Sequence, residues 1–545
     1  MKTPGAIRKA PGASGSLHGD RAKIAFLVAA FALALITPRV GLAEESGANE
    51  GGWVPTPLNP GLQLPFDRYY PYLLAQDAPT PGSLKPTAPK AAPGAQSGKP
   101  VRAEREPEKS YLVPALEIVG FNILLNRFNY YFIDKEVYGV TYSTVRTNLT
   151  SKWIVDTDPF ATNQFMHPYQ GTIYFGLARS SGLDFWESLG YSFGGSLLWE
   201  IAGETGLPSI NDLVTTGFGG AFLGEPLFRM ASLLLEGGGE EPGFWRELGA
   251  AVISPPLGFN RLAFGDRFRA VFDSRDPAVF SYVRLGWNRV GHVVDQTASE
   301  EVKHDTTVAD FHLTYGLPGR NGYKYTRPFD YFDFEFTATT ANVFEDIMSR
   351  GLLVGKEYTL GGDYAGVWGL YGSYDYISPQ VFRVSSTALS LGTTAQWWVS
   401  DSMALQGTAL GGLGYGAAGT VHNTGERDYH YGATPQVLLA LRLIFGDSAN
   451  LDLMTRSYYV SEVASTEHRG SERIFRGDLA FTVRIHGPHA VALKYAYSQR
   501  DAHYVDIPPT HQSVASVSLS YTYIFGGVKG VNNFGAVMRH STDQP

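Results

Sequence analysis

Residues 516–525 read Ser-Val-Ser-Leu-Ser-Tyr-Thr-Tyr-Ile-Phe, and this stretch decides the fold. Its odd-numbered positions are apolar or aromatic, whereas the even-numbered positions up to residue 522 are Ser or Thr. Successive side chains of a β-strand point to opposite faces, so the alternation gives one apolar face and one polar face. The same period of two recurs in residues 331–338, 478–486 and 491–500. We therefore predict a sheet that meets different surroundings on its two sides.

Such alternation fits a soluble sandwich as well as a membrane-spanning barrel, and three further features favour the barrel. The runs have about 9–12 residues, which matches a tilted spanning strand. Aromatic side chains gather at strand ends, as at Trp397-Trp398, where a membrane interface would hold them. Residues 521–525 resemble the aromatic C-terminal signal of outer-membrane barrels, although 20 residues follow Phe525.

We predict a mainly β fold, an antiparallel transmembrane β-barrel within residues 261–526, preceded by an α-helical domain that plugs or caps it. Because twelve strands enclose a lumen wider than side chains alone fill, we expect something to occupy it. The polar strand faces carry charges of both signs, so no ion selectivity is predicted. The twelve predicted strands are 279–290, 306–316, 328–340, 350–361, 364–376, 381–397, 402–418, 431–445, 449–460, 473–486, 489–500 and 513–525.

The two ends of the chain have features of export and disorder. Residues 1–43 combine a basic start, the apolar run Ile24–Ile36 and small residues before Ala43, so we predict a signal peptide cleaved near Ala43. Residues 44–109 are rich in Pro, Ala and Gly, which predicts a disordered linker. Residues 527–545 form a predicted C-terminal tail. We expect the protein in the cell outer membrane.

Composition excludes several classes of protein. The 545 residues include no Cys, which excludes disulfides, thiolate metal sites, a Cys nucleophile and a lipid-anchored lipoprotein. The net charge is −8, and it becomes about −13 without the basic leader, so nucleic acid is not an expected partner. The expected partners are outer-membrane lipid, a small-molecule or lipid ligand, and a periplasmic partner reached through the linker.

Residues 110–260 have a helical pattern instead. Asp184 to Glu187 and Ser209 to Asp212 both have capping-box spacing, and each opens an apolar run. Helices are predicted at 184–204, 209–236 and 242–254, with a further one at 111–126. These helices are apolar nearly all round, so we expect burial in the lumen, in the mouth of the barrel or in a periplasmic cap. Gly220 and Gly224 permit close contact with a neighbouring helix.

Several motifs occur in order in this region. They are Asp156-Thr157-Asp158-Pro159-Phe160-Ala161-Thr162-Asn163-Gln164, His167-Pro168-Tyr169-Gln170-Gly171, Tyr174-Phe175-Gly176-Leu177-Ala178-Arg179, Gly195-Ser196-Leu197-Leu198-Trp199-Glu200, Glu204, Pro208-Ser209-Ile210-Asn211-Asp212 and Gly224-Glu225-Pro226-Leu227-Phe228-Arg229. Together they resemble the uncharacterised bacterial family called domain of unknown function 3943, over about residues 110–260. The resemblance implies an exported protein with a barrel-like C-terminal half, and it implies no settled activity.

The polar residues of these motifs allow two interpretations. Glu200 and Glu204 are one helical turn apart, and with His167 they could act as acid and base or bind a metal ion. Alternatively, Arg179 and Arg229 neutralise the carboxylates, with Glu225 and Arg229 as an i,i+4 pair, and we prefer this structural pairing because buried polar groups need partners. No catalytic residue, metal site or cofactor is assigned. The remaining members of this polar cluster are Arg179, Asp212, Glu225 and Arg229.

Two further local patterns involve His167 and residues 414–419. His167 precedes Pro168, which favours extended backbone and a loop, and its imidazole either lies exposed or, as we prefer, caps or hydrogen-bonds a neighbouring helix. Residues 414–419 match G-x-G-x-x-G, but no helix follows them, so a dinucleotide site is not predicted.

Three functions therefore stay open. We favour an outer-membrane barrel with a helical plug or cap that acts in envelope transport or organisation. The first alternative is a membrane-embedded hydrolase that acts on a lipid or glycan through His167 and the Glu200/Glu204 pair. The second is a structural protein that tethers the envelope through its linker.

Overall fold

The computed structural model describes residues 109–156, 158–239, 241–295, 302–421, 429–463, 469–505, 508–526 and 531–538. The predicted signal peptide, the linker up to residue 108 and the last seven residues of the tail lie outside these ranges. The described residues form a helical domain followed by a β-barrel.

The C-terminal half is a closed antiparallel barrel of twelve strands. Each strand pairs with its neighbours in the chain, and β1 pairs with β12 to close the ring. All twelve predicted strands are confirmed. They are β1 (Val279–Asp295), β2 (Asp305–Tyr315), β3 (Phe332–Thr339), β4 (Asp346–Leu360), β5 (Tyr364–Ile377), β6 (Phe382–Ser400), β7 (Met403–Thr420), β8 (Tyr429–Phe445), β9 (Ala449–Val460), β10 (Gly470–His486), β11 (His489–Tyr504) and β12 (Thr510–Phe525). Residues 414–419 lie within β7, as predicted.

Contacts across the barrel identify the face that lines the lumen. Arg284 on β1 donates a hydrogen bond to Thr482 on β10 at 2.9 Å, although these strands are not neighbours. Alternate residues therefore point inward, and the residues between them point outward. On β12 the outward residues Val517, Leu519 and Tyr521 are exposed. An apolar outer wall around a polar lumen is typical of a transmembrane barrel.

The helical domain precedes the barrel, and its helices include all four that were predicted. The helix predicted at 209–236 is one run with a π turn at Thr215–Gly219, and helices at 142–150, 167–180 and 255–264 were not predicted. None of the described helices is long and apolar enough to cross a membrane by itself. The helices are α1 (Leu112–Phe132), α2 (Tyr142–Thr150), α3 (His167–Ser180), α4 (Phe185–Ala202), α5 (Ile210–Val214), α6 (Gly220–Glu236), α7 (Phe244–Ile253) and α8 (Pro255–Phe264).

The helical domain packs on the outer wall of the barrel. Outward-facing Ser349 on β4 donates a hydrogen bond to the carbonyl oxygen of Phe222 at 2.6 Å, and outward-facing Tyr374 on β5 donates to the carbonyl oxygen of Gln164 at 2.6 Å. The Phe222 ring covers Gly372, where an added Cβ would lie 2.6 Å from the ring. The expectation that the described helices plug the lumen or cap a mouth is therefore wrong. Small residues on the outer wall let α6 pack closely against the barrel, and a hydropathy pattern does not reveal such a packing site.

Two apolar layers and a charged layer fill the lumen instead. We call the opening where β1 begins and β12 ends the terminal mouth, and the opposite opening the loop mouth. Phe382 and its apolar neighbours close the loop mouth. Residues 531–538 of the tail fold back into the terminal mouth, where the amides of Gln396 and Gln406 donate to the carbonyl oxygens of Val537 and Gly535 at 2.9 and 2.8 Å. The expectation that something occupies the lumen is confirmed, and its occupant is the tail.

The central layer of the lumen consists of ion pairs. Arg350 lies 2.8 Å from Asp333, and Arg476 lies 2.6 Å from Asp346. The Lys494 ammonium lies between Glu335 and Asp478, at 3.6 and 3.5 Å. These side chains leave a cavity of about 90 Å³. That cavity has room for several water molecules among the ion pairs.

Candidate functional site

The predicted polar residues of the helical domain divide into two separate clusters. In the first, Glu225 on α6 lies between two arginines, with Arg179 Nε at 2.7 Å and Arg229 Nε at 2.8 Å. Arg229 Nη1 also lies 2.9 Å from Asp330, in the connection between β2 and β3. We call these four residues the arginine cluster. It joins α3, α6 and the barrel, and it confirms the preferred pairing of Glu225 with Arg229.

In the arginine cluster two arginine charges are paired with two carboxylate charges. Burial by itself would raise the pKa of Glu225, but the adjacent Arg179 and Arg229 charges outweigh it and lower that pKa. All polar atoms of Glu225 and Arg229 are buried and hydrogen-bonded. An ionised, fully paired group of this kind holds elements together.

The second cluster lies at the other end of the domain and consists of Asp156, His167, Glu200 and Asp212. We call it the acid–histidine cluster. His167 Nε2 lies 3.9 Å from Asp212 Oδ2, and the Ser209 backbone N–H donates to Glu200 Oε2 at 2.8 Å. Its members come from α3, α4, α5 and the segment before α3, so the fold assembles it from distant positions.

Amide side chains connect the acid–histidine cluster to the barrel. Asn211 donates to Asp156 Oδ1 at 2.9 Å and to the hydroxyl oxygen of Tyr431 at 2.9 Å. Gln164 also donates to Tyr431, at 2.9 Å, and outward-facing Tyr431 belongs to β8. The cluster therefore lies directly against the outer wall.

No arginine or lysine pairs with the acid–histidine cluster in the described part of the chain, because Arg179 and Arg229 are held by Glu225 and Asp330. The interpretation that these arginines neutralise Glu200 is wrong. Burial therefore raises the pKa of Glu200 to about 8, with the charges of Asp156 and Asp158 adding to the effect and the Ser209 hydrogen bond opposing it. Without a cation beside it, the Glu200 carboxyl is stable in its neutral form.

The other two titratable groups follow the same rule. Burial raises the pKa of Asp212 well above its usual range, and the nearby charges of Asp156 and Glu200 raise it further. Burial also lowers the pKa of His167, against the attraction of Asp156. Burial therefore favours the neutral forms of Glu200, Asp212 and His167.

Two carboxyl oxygens of this cluster have unused hydrogen-bonding capacity. Glu200 Oε1 and Asp212 Oδ2 are buried and have no hydrogen-bond partner. A buried polar atom of this kind is costly unless a ligand, a water molecule or a proton transfer uses it. Among the described residues, no three His, Asp or Glu side chains are arranged to hold a metal ion. The arrangement is suited to exchanging protons.

Glu204 and His167 differ from their predicted settings. Helix α4 ends at Ala202, so Glu204 lies beyond it, half-buried, and does not share a helical face with Glu200. His167 is buried in helical backbone at the start of α3, with a π turn before it, so the prediction of an extended loop is wrong. Pro168 follows this π turn within a continuous helical run and has no backbone N–H to donate, which fits the local departure from α-helical hydrogen bonding.

Sequence reasoning missed two cluster members, Asp156 and Asp330, and three residues that form hydrogen bonds around the acid–histidine cluster, which are Asn163, Asn211 and Tyr431. Asp156, Asn163 and Asn211 lie inside the quoted motifs, and their carboxyl and amide side chains were a reason to include them among the candidate polar residues. Asp330 and Tyr431 lie in the barrel half, far along the chain, and no local pattern marks them.

Most of the helical domain matches a known family model. Residues 152–256 match the family model described as Domain of unknown function (DUF3943). The DUF3943 segment contains every residue of the acid–histidine cluster, together with Glu225 and both arginines of the arginine cluster. It leaves out α1 and α2, so it is narrower than the range of 110–260 expected from the resemblance.

Other comparisons concern the barrel. The outer membrane channel DcaP of Acinetobacter baumannii is 10% identical over 45% of this chain and 96% of its own, with a TM-score of 0.21. An anion-selective porin from Comamonas acidovorans is 10% identical over 46% of this chain and 99% of its own, with a TM-score of 0.17. No curated protein matches this chain.

Proposed function

We propose that this protein is an outer-membrane barrel that acts in envelope organisation, with a closed barrel holding the DUF3943 segment against its outer wall. The carrying observation is that the lumen is filled while the helical domain lies outside it. A barrel that worked as an open pore would keep a continuous water-filled path. Ion pairs, the Phe382 layer and the tail occupy that path here.

The outer-membrane location is supported by the barrel's own outer surface. The outward residues of β10, β11 and β12 are apolar or aromatic over about nine residues beside the terminal mouth, the length of a tilted spanning strand. Heat-modifiability on gels of membrane fractions tests this location. A purely soluble protein without a mobility shift would contradict it.

Planar-bilayer recording of the full chain tests the closed barrel. We expect no stepwise conductance, because two layers besides the tail block the lumen. A Gln396→Ala/Gln406→Ala double variant removes two of the side-chain donors that hold the tail and leaves Trp398 Nε1, and we expect it to stay closed as well. Steady conductance in the native protein would refute the closed barrel, and conductance in the double variant alone would favour transport gated by the tail.

A second candidate is a hydrolase that acts on an envelope lipid or glycan, favoured by the unpartnered oxygens of Glu200 and Asp212 beside His167. Neutral His167 would accept a proton from an attacking water molecule, and protonated Glu200 would donate one to the leaving group. Mass spectrometry of envelope lipids and glycans, from cells with the native chain or a Glu200→Gln variant, tests it. A folded variant with an unchanged product profile would count against hydrolysis.

A further inference from the structure

Two helices of the domain, α4 and α1, have inverted polarity. On α4, Ser188, Ser192, Ser196 and Glu200 recur at every fourth position and are all buried. Ser192 Oγ donates to the backbone oxygens of Gly171 and Thr216, both at 3.1 Å. A helix on the surface of a water-soluble domain buries its apolar stripe and exposes its polar one. Helix α4 does the reverse.

Helix α1 shows the same inversion. Asn122 and Asn126 are buried and donate to the backbone oxygens of Gly195 and Gly203 on the α4 side, at 3.2 and 2.7 Å. The opposite face is apolar, and Leu116 and Ile123 are 62% and 58% exposed. Exposed apolar residues that share these faces are Leu112, Val119 and Leu124 on α1 and Trp186 and Leu197 on α4.

Apart from one residue, charges lie near the ends of this apolar surface. Lys109, Asp184 and Glu187 form ion pairs at one end, and Arg127 begins the charged residues at the other. Between them, α1 has one ionisable side chain, the half-buried Glu117. This stretch of about 15 residues corresponds to roughly 22 Å of helix. That length is close to the roughly 25 Å apolar band of a transmembrane barrel.

The barrel wall beside the helical domain is also apolar and open. Gly351, Gly372, Leu389 and Leu413 are paired neighbours on β4 to β7, and all four point outward. Phe329 of the β2–β3 connection covers Gly351 and Phe222 of α6 covers Gly372, whereas Leu389 and Leu413 are exposed. A single row of the sheet therefore passes from beneath the helical domain to the open apolar wall.

Helix contacts within the domain follow the rules for packing in lipid. A Cβ at Gly171 would lie 1.9 Å from the Thr216 carbonyl oxygen, so α3 and the α6 run approach as closely as backbones can. The predicted close contact at Gly220 is confirmed here, because Gly220 packs on Gly171. Small residues and serine hydrogen bonds hold helices together where the hydrophobic effect cannot.

We propose that the exposed faces of α1 and α4 contact lipid acyl chains, so that the helical domain lies within the membrane beside the barrel. This inference rests on the proposed outer-membrane barrel. It places the acid–histidine cluster within the membrane-embedded part of the protein, between the helices and the barrel wall, where buried ionisable groups mark functional sites. The chemical class of partner is thus the acyl region of an envelope lipid.

The chain contains no Cys, so single cysteines can be labelled cleanly. Leu116→Cys, Ile123→Cys and Leu197→Cys variants of the full chain carry a spin label in vesicles of phosphatidylethanolamine and phosphatidylglycerol. Leu519→Cys on β12 is the lipid control, and Lys135→Cys after α1 is the water control. The collision rates with oxygen and with a water-soluble nickel complex are measured.

We expect the three helical labels to match Leu519→Cys, with oxygen collisions several-fold more frequent than nickel collisions. Nickel access at the helical labels with a normal Leu519→Cys signal would overturn the inference and leave the membrane barrel intact. Low access for both reagents would mean that residues 1–108 or a second copy cover the face, which also overturns it. Nickel access at Leu519→Cys would instead contradict the proposed barrel. A heat-modifiable band confirms folding of each variant.

Discussion

The lumen and the acid–histidine cluster are both buried polar regions, and they solve the problem of burial in opposite ways. In the lumen most carboxylates have a cation beside them, such as Glu472 with Arg500 at 2.6 Å, although Asp310 Oδ1 has no hydrogen-bond partner. In the acid–histidine cluster Glu200 and Asp212 have no cation beside them among the described residues, and two of their oxygens lack partners. Compensated charges make a rigid interior, whereas uncompensated acids are kept neutral and remain available for chemistry.

Removing a compensated charge should have the largest effect. Glu225→Gln leaves Arg179 and Arg229 without their shared carboxylate, so we expect a loss of about 3 kcal/mol or more in the free energy of unfolding. Urea unfolding of the detergent-solubilised protein, followed by tryptophan fluorescence, measures it. Glu472→Gln is the matched change in the lumen and should cost a similar amount. A loss below about 1 kcal/mol in both variants would contradict the difference between paired and unpaired buried carboxyl groups.

The matched change in the acid–histidine cluster should have the opposite sign. The folded pKa of Glu200 is about 8 and its ordinary value is 4.5, so folding must keep a proton that the unfolded chain releases. Stability from this group is therefore complete below pH 4.5 and falls as the pH rises towards 8. Glu200→Gln needs no proton, and we expect it to stabilise the protein by about 1 to 3 kcal/mol at pH 7.

The pH dependence of unfolding checks this second prediction. The native protein should lose stability between about pH 4.5 and 8, and the Glu200→Gln variant should show a flatter profile. Near pH 4.5 the two proteins should be equally stable. A variant that is less stable at pH 7 would mean that Glu200 is ionised and paired, as Glu225 is.

The smallest effect is expected at Glu204, which lies past the end of α4 and is half-buried. Glu204→Gln should stabilise the protein at pH 7 in the same direction as Glu200→Gln but by less, about 1 kcal/mol at most. Burial and the Glu200 charge raise the pKa of Glu204, while solvent still reaches its half-buried side chain. The same urea titration measures it, with Glu200→Gln as the control. A change as large as that of Glu200→Gln would restore the predicted carboxylate pair.

Local patterns predicted the secondary structure well. Period-two alternation located all twelve strands, and the capping boxes at Asp184 and Ser209 located α4 and the α5–α6 run. Helix α3 has no capping residue, because a π turn leads directly into His167. This helix therefore has no start signal in the sequence, and it was not predicted. Helix α2 begins at a Thr141 cap with few apolar residues after it, which hydrophobic periodicity does not detect.

Partners of the charged side chains were not predictable in the same way. Arg179, Arg229, Glu200 and Glu225 all lie within one motif set, and their spacing is compatible with several pairings. The choice depends on the rotation of α3 and α6 against each other, which the Gly171–Gly220 contact decides. Asp330 completes the arginine cluster from another part of the chain, so no local pattern announces it.

The sequence by itself determined the closed barrel, the helical domain and the residue types of both polar clusters, because each depends on periodicity or on spacing over a few residues. Only the tertiary structure decided that the helices lie on the outer wall and that the tail enters the lumen. An apolar helical face is satisfied equally by a lumen, a protein cap or lipid, so hydropathy cannot choose among them. The choice comes from shape, through Gly372 beneath Phe222 and the amides of Gln396 and Gln406 around residues 531–538.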